Sequence, residues 1–186
     1  MSMSRVLFAF VLCVALSPAT VPAEAGPPFS RPALVTSVGQ SSDIVVVKAL
    51  LVTQMKLDFT VKPVAQASDL EGMQTLVIVV GSSAKGLGAA GLDMEKEIAR
   101  TRTLVAAARG RKIPILVMHT GGEARRGKTS NDLIEIVGPE ADHVIVVAAG
   151  NKDRIFNRLA EKRQAQVVEV DRLAAAGAAV KTVFGQ

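Results

Sequence analysis

Residues 75–80, "TLVIVV", place five aliphatic side chains in a row behind one threonine, and they constrain the fold more than any other stretch. A strand with no polar alternation must be covered on both faces, which is the situation of a parallel strand between two helix layers. Similar β-branched runs recur along the chain. Residues 33–38 read as a first strand, 58–64 as a weaker second, 113–118 as a fourth, 144–148 as a fifth and 167–170 as a sixth. Helical stretches separate them. Ile44, Val47, Leu50 and Leu51 recur at helical spacing behind Ser41-Ser42-Asp43, which can cap that helix. "ASDLEG" at 67–72 reads as a brief helical turn, and Asp93 opens a long helix ending near Gly110. Residues 130–137 form a helix stopped by Gly138-Pro139, 153–163 a further helix, and the Ala-rich tail a last one.

This alternation predicts an α/β fold: three layers, doubly wound about a mainly parallel sheet, flavodoxin-like or Rossmann-like in class. Right-handed crossovers and sequential adjacency favour the strand order 2-1-3-4-5, with the sixth strand beyond the fifth. Only about ten residues join strands two and three, near the ~10–12 that a crossover requires, which leaves a hairpin there as the alternative.

Ahead of this fold, Arg5 forms a short positive n-region, residues 6–16 an apolar h-region, and Ala23-Glu24-Ala25 a small-x-small cleavage pattern. The expected organisation is a signal peptide at 1–25, a Pro-rich leader "GPPFSRP" at 26–32 and a single α/β domain at 33–186, located in the periplasm or secreted. The apolar core is shorter than the ~20 residues of a spanning helix, so no membrane partner is expected after cleavage. Cys13, the one cysteine, lies inside the h-region behind Phe-Val-Leu, without the small residue expected beside a lipid-modified cysteine. The processed chain would lack thiols, which excludes disulfides, thiolate catalysis and Cys-bound zinc.

The formal charge is +5, and removing residues 1–25 takes away one basic and one acidic residue without changing it. With no Trp, no Tyr and six Phe, the stacking surfaces of single-strand binders are missing. No nucleic-acid partner is expected, and the charge reads as a solubilising surface.

In such a fold, ligands bind beyond the carboxyl ends of the strands, at the switch point between strands one and three. The segments leaving strands one, three, four and five are "SVGQSSD" (37–43), "GSSAKGLGAAG" (81–91), "HTGGEARRG" (119–127) and "AGNKD" (149–153), all rich in glycine and polar groups. On the opposite edge, "EGMQ" and "RGRKI" are ordinary turns and helix ends. Gly39, Gln40 and Ser41 present amides and a hydroxyl at a helix start, where an anion is favoured; a plain helix cap is the competing reading. Ser82, Ser83, Lys85, Gly86 and Gly88 read as a loop cradling phosphate or carboxylate, with a flexible glycine loop as the alternative.

Residues 86–91 spell G-x-G-x-x-G, yet four residues separate them from Gly81 and Arg111 stands where a dinucleotide site wants an acid, so no nicotinamide site is expected. Thr36, Gly39 and Ser41 match a flavodoxin phosphate loop, but Val38 replaces its central hydroxyl and no Trp or Tyr can stack on a flavin. FMN is thus poorly supported, and no cofactor is predicted.

His119 ends the fourth strand and His143 begins the fifth, which places them on opposite edges of the sheet. His119 with Glu123 is the candidate acid–base pair, against a structural histidine and a loop salt bridge to Arg125 or Arg126. Gly121, Gly122, Arg125, Arg126, Asn151 and Lys152 complete the candidate ligand-binding set, because arginine's planar fork matches carboxylate and phosphate. One His and one Glu are too few for a metal site, so none is predicted. Neither a Ser-His-Asp order nor a nucleophile elbow is evident.

Taken together, "TSVGQSSD", "GSSAKGLGAAG", "HTGGEARRG" and "AGNKD" resemble a family of exported bacterial proteins of unknown function, over about residues 33–170. The resemblance implies an exported α/β domain with these glycine-rich segments as a hallmark. It carries no catalytic residues across. The expectation is an exported domain that recognises a small anionic ligand, carboxylate or phosphate bearing, at the C-terminal edge of the sheet. The alternatives are a hydrolase or transferase using His119 and Glu123, and an accessory protein docking onto an exported partner.

Overall fold

The computed structural model describes residues 29–185, so the expected signal peptide and the start of the leader lie outside the described residues. Six strands, β1 (Ala33–Val38), β2 (Phe59–Val61), β3 (Thr75–Val80), β4 (Ile115–His119), β5 (His143–Val147) and β6 (Gln166–Val170), form one sheet. Every neighbouring pair is parallel, and the order is β2-β1-β3-β4-β5-β6, as the alternation and the handedness rule require.

The helices are α1 (Asp43–Lys48), α2 (Ala84–Ala89), α3 (Met94–Gly110), α4 (Lys128–Val137), α5 (Ile155–Ala160) and α6 (Leu173–Val183). Side chains alternate across the sheet, so the central strands feed two cores. Leu76, Ile78, Val80, Val117 and Val146 face one side and meet Leu104 of α3, Leu133 and Ile134 of α4 and Phe156 of α5. Val35, Val77, Val79, Leu116 and Met118 face the other and meet Val47, Leu51 and the α6 residues Ala176 and Val180. These are the three layers of a doubly wound sheet.

Two expected elements change. The second strand is three residues long instead of seven because Pro63 has no N–H to donate, although its carbonyl still accepts from Ser37 N at 3.2 Å. The connection from β2 to β3 is a parallel crossover built on a 3₁₀ turn (Ala67–Leu70), not a hairpin. A second correction falls on 81–91, expected as a loop. Ser83 Oγ accepts from Gly86 N at 3.1 Å and caps α2, so Gly86 and Gly88 are helical despite the propensity cost of glycine. Past Lys48, the first helix continues as a π-helical segment (Ala49–Gln54).

Candidate functional site

The chain leaves β1 towards one helix layer and β3 towards the other, and the two exits are joined by backbone hydrogen bonds. Gly81 N donates to Val38 O (2.9 Å), Ser41 N to Gly81 O (3.2 Å) and Ser83 N to Gly39 O (2.8 Å), with Gln40 and Ser82 paired as an antiparallel bridge. Such proximity requires two glycines. A Cβ on Gly39, whose φ is +95°, would lie 2.5 Å from Gly81 O, and one on Gly86 would lie 1.8 Å from Gln40 O. Gln40 itself sits in the left-handed region at φ 55°.

Beneath this seam lies a buried ion pair that reading the sequence missed. Glu97 of α3 is fully buried, and its Oε1 accepts from Gly39 N at 2.7 Å and from Gln40 Nε2 at 3.2 Å. Arg100 forks onto the same carboxylate, Nε to Oε2 and a terminal nitrogen to Oε1, both at 2.7 Å. Its remaining donors reach Ala65 O at 2.8 Å and Ser37 O at 2.7 Å. A carboxylate of the protein therefore occupies the amide of the turn after β1. The signal was register: counting back from Leu104, Val105 and Ala108, the buried stripe of α3 lands on Thr101, Arg100 and Glu97.

The segment after β4 is anchored on His119. The ring is fully buried, with Nδ1 2.9 Å from Val80 O, Nε2 3.1 Å from Gly122 O, and Phe156 tilted against it at 5.4 Å. Burial pushes its pKa below the ordinary histidine value; the two carbonyls pull the other way and Arg126 adds to the lowering. Desolvation is the larger effect in so closed a place, so the ring is neutral and donates to only one of the two carbonyls. Arg126 is held by four hydrogen bonds: Nε donates to Asn131 Oδ1 (2.8 Å), one terminal nitrogen to Gly150 O (2.5 Å), and both terminal nitrogens to the Asp153 carboxylate (3.0 and 2.8 Å). That fork pulls the Asp153 pKa down to about 2.

Arg125 points the other way, towards the start of α1. One terminal nitrogen donates to Ser42 Oγ at 2.9 Å and Nε to Asp43 Oδ1 at 3.4 Å, while Asp43 Oδ2 is buried without a hydrogen-bond partner. Gly121 makes room, since a Cβ there would lie 2.0 Å from Arg125 Cγ.

Above the seam an open cleft of about 600 Å³ runs between α1, α2 and the turn carrying Arg125. Gln40, Ser41, Ser42 and Ser83 supply its polar wall; Ile44, Val45, Pro63 and Ala89 supply an apolar one. Lys85 and Arg125 are its two cations. Lys85 has no carboxylate partner among the described residues, whereas Arg125 shares Asp43.

A family model described as Domain of unknown function (DUF6305) matches residues 30–184. The chain belongs to this family. The match spans the whole sheet, the cleft and the Glu97–Arg100 pair, so in this DUF6305 domain all of them lie within the family's own span. No curated protein and no solved structure matches the chain.

The cleft of the DUF6305 domain gathers six of the sequence candidates: Gln40, Ser41, Ser83, Lys85, Gly86 and Arg125. Others are used elsewhere. Ser82 N donates to Ser130 Oγ at 2.9 Å, and Gly39 is bound to Glu97. Gly88 is exposed on α2 outside the cleft lining. Glu123 and Lys152 pair at 2.6 Å beside Arg126 and Asp153 in a separate depression of about 210 Å³. That ion pair, led by its hydrogen bond, holds the Glu123 carboxyl below its usual range. Asn151 is buried, giving Nδ2 to Asn157 Oδ1 and Glu169 Oε1 at 2.7 and 2.8 Å and accepting from Phe156 N. Gly122, at φ +59°, turns the chain so that its carbonyl meets His119.

Proposed function

We propose that this is an exported domain that binds a small anionic ligand, bearing carboxylate or phosphate, in the cleft at the C-terminal edge of its sheet. The observation that carries the reading is the convergence of Lys85 and Arg125 on one cleft beside three serines, at the switch point where doubly wound sheets take their ligands. A volume of about 600 Å³ falls within the ~300–1,000 Å³ of small-molecule sites. Export rests on the order of Arg5, the apolar run 6–16 and Ala23-Glu24-Ala25.

Binding without turnover is the better-supported reading. His119 is fully buried with both ring nitrogens against backbone carbonyls, and Glu123 sits with Lys152 in a separate depression outside the cleft, so the two do not face a ligand there as an acid–base pair. The Gly39 amide is already taken by Glu97, which weighs against an FMN phosphate at that turn.

A thermal-shift panel of small carboxylates and phosphates tests the proposal. A ligand at ~100 times its Kd adds ~2.7 kcal/mol and should raise the Tm, and Lys85→Ala should abolish the rise. A panel that leaves the Tm unchanged sinks the site. N-terminal sequencing of the processed protein should read from near Gly26, and recovery of an uncleaved chain in the membrane would overturn export.

A further inference from the structure

The apolar half of the cleft defines its ligand more narrowly than charge does. Val45 and Val46 are the large hydrophobic side chains left exposed among the described residues, at 66% and 47%, and Val45 stands in the cleft wall beside Pro63 and Ala89. A ligand laid along Val45 would take that apolar surface out of water, which is favourable in proportion to the area covered. The charges set the other end. Lys85 and Arg125 face the cleft, and Asp43 offsets one of them, which leaves a single net positive charge at the mouth.

Arg125 is also oriented for one kind of headgroup. Its Nε and one terminal nitrogen are committed to Asp43 and Ser42. The other terminal nitrogen donates to nothing among the described residues. That nitrogen keeps its N–H groups for a ligand and can donate to one carboxylate oxygen, with the Lys85 ammonium lining the same cleft to meet the other. A dianionic phosphate in the same place would bring its second charge against Asp43.

We propose that the cleft binds an aliphatic monocarboxylate, its headgroup held by Arg125 and Lys85 and its hydrocarbon chain laid along Val45, Pro63 and Ala89. This rests on the anion-binding reading of the same cleft. Acetate or phosphate would leave the apolar wall wet, whereas a chain of several methylenes would cover it.

Calorimetric titration of the purified protein with acetate, hexanoate and inorganic phosphate tests this. Each methylene taken out of water contributes roughly fourfold in affinity, so hexanoate should bind at least tenfold tighter than acetate, and tighter than phosphate. Val45→Ser should bring the hexanoate-to-acetate ratio down towards one, while Val46→Ser, outside the cleft, should leave it. Lys85→Ala should weaken both carboxylates. If acetate and hexanoate bind equally, or phosphate binds more tightly than hexanoate, the monocarboxylate inference falls while the anion site stands. If none of the three binds, the anion site falls with it. Hexanoate binding that ignores both Val45→Ser and Lys85→Ala would place the ligand elsewhere and overturn the inference.

Discussion

Glu97 Oε1 lies 2.7 Å from the amide nitrogen of Gly39, so the turn leaving β1 is held from below by the protein's own carboxylate. Arg100 neutralises that carboxylate and ties it to Ser37 O and Ala65 O, joining α3, β1 and the β2–β3 crossover in one buried network. Networks of this kind are costly to break on one side, because the remaining charge stays buried without a partner. Glu97→Gln keeps the shape and an acceptor for Gly39 but leaves Arg100 unpaired. It should lose about 3–5 kcal/mol in urea unfolding, and Arg100→Met should lose a similar amount. The double variant should recover part of either loss; strictly additive losses would mean that the two side chains are not coupled.

Two glycines of α2 separate local propensity from tertiary contact. At Gly88 an added Cβ meets nothing within 4 Å, so Gly88→Ala should stabilise by up to about 1 kcal/mol through helix propensity. At Gly86 the same methyl would lie 1.8 Å from Gln40 O and force the β1 and β3 exits apart, so Gly86→Ala should destabilise by about 1–3 kcal/mol. Equal changes in Tm for the two variants would show that the exits are not joined as described.

What could be read from the sequence follows from these contrasts. The bounds of β1 and β3 and the strand order were legible because unbroken β-branched runs admit few other structures, and their spacing admits few topologies. α2 was hidden because Gly86 and Gly88 argue locally against a helix; the Ser83 cap and the contact with Gln40 override them. Lys85 and Arg125 could be found because they fall in segments at the C-terminal edge. Arg126 and Asn151 fall there as well, but Asp153 and Glu169, which engage them, are distant in sequence and gave no pairing signal. Glu97 carries no such signal in sequence, because a charged helix residue is ordinarily solvent-facing and only the packing of α3 on the sheet buries this one. Val45 was visible only as a large apolar residue off the stripe of Ile44, Val47, Leu50 and Leu51.

The Arg126–Asp153 fork predicts a response to acid. Asp153 has a folded pKa of about 2, below the ~3.9 of a free aspartate, so its contribution is present above about pH 4 and is lost as pH falls towards 2. Because Asp153 is 55% exposed, solvent screening limits that contribution to under about 1 kcal/mol. Asp153→Asn should be slightly less stable than the parent at pH 6, by urea unfolding, and the gap should narrow as pH falls from 4 towards 2, where the folded carboxylate is half protonated. A gap as wide at pH 2 as at pH 6 would assign the effect to lost packing instead of charge.

His119 should be the more informative titration, because its surroundings oppose each other. Burial favours the neutral ring and the carbonyls of Val80 and Gly122 favour the cation, with burial the stronger. In the unfolded chain the same imidazole has a pKa of ~6.5, so below that pH the unfolded state takes up a proton that the folded state refuses. Stability should therefore fall as pH drops through about 6.5, and level off only once the folded ring protonates at its lower pKa. His143, also lowered by burial, would add to the same slope, and His143→Gln leaves His119 as the one described imidazole. In that variant, the His119 ring resonances in a two-dimensional NMR titration should lie nearer their neutral than their protonated positions at pH 6.5, where a free histidine is half protonated. A midpoint at or above 6.5 would mean that the carbonyls win, that the ring is a cation clamped between β3 and the Gly122 turn, and that acid should tighten that turn instead of loosening it.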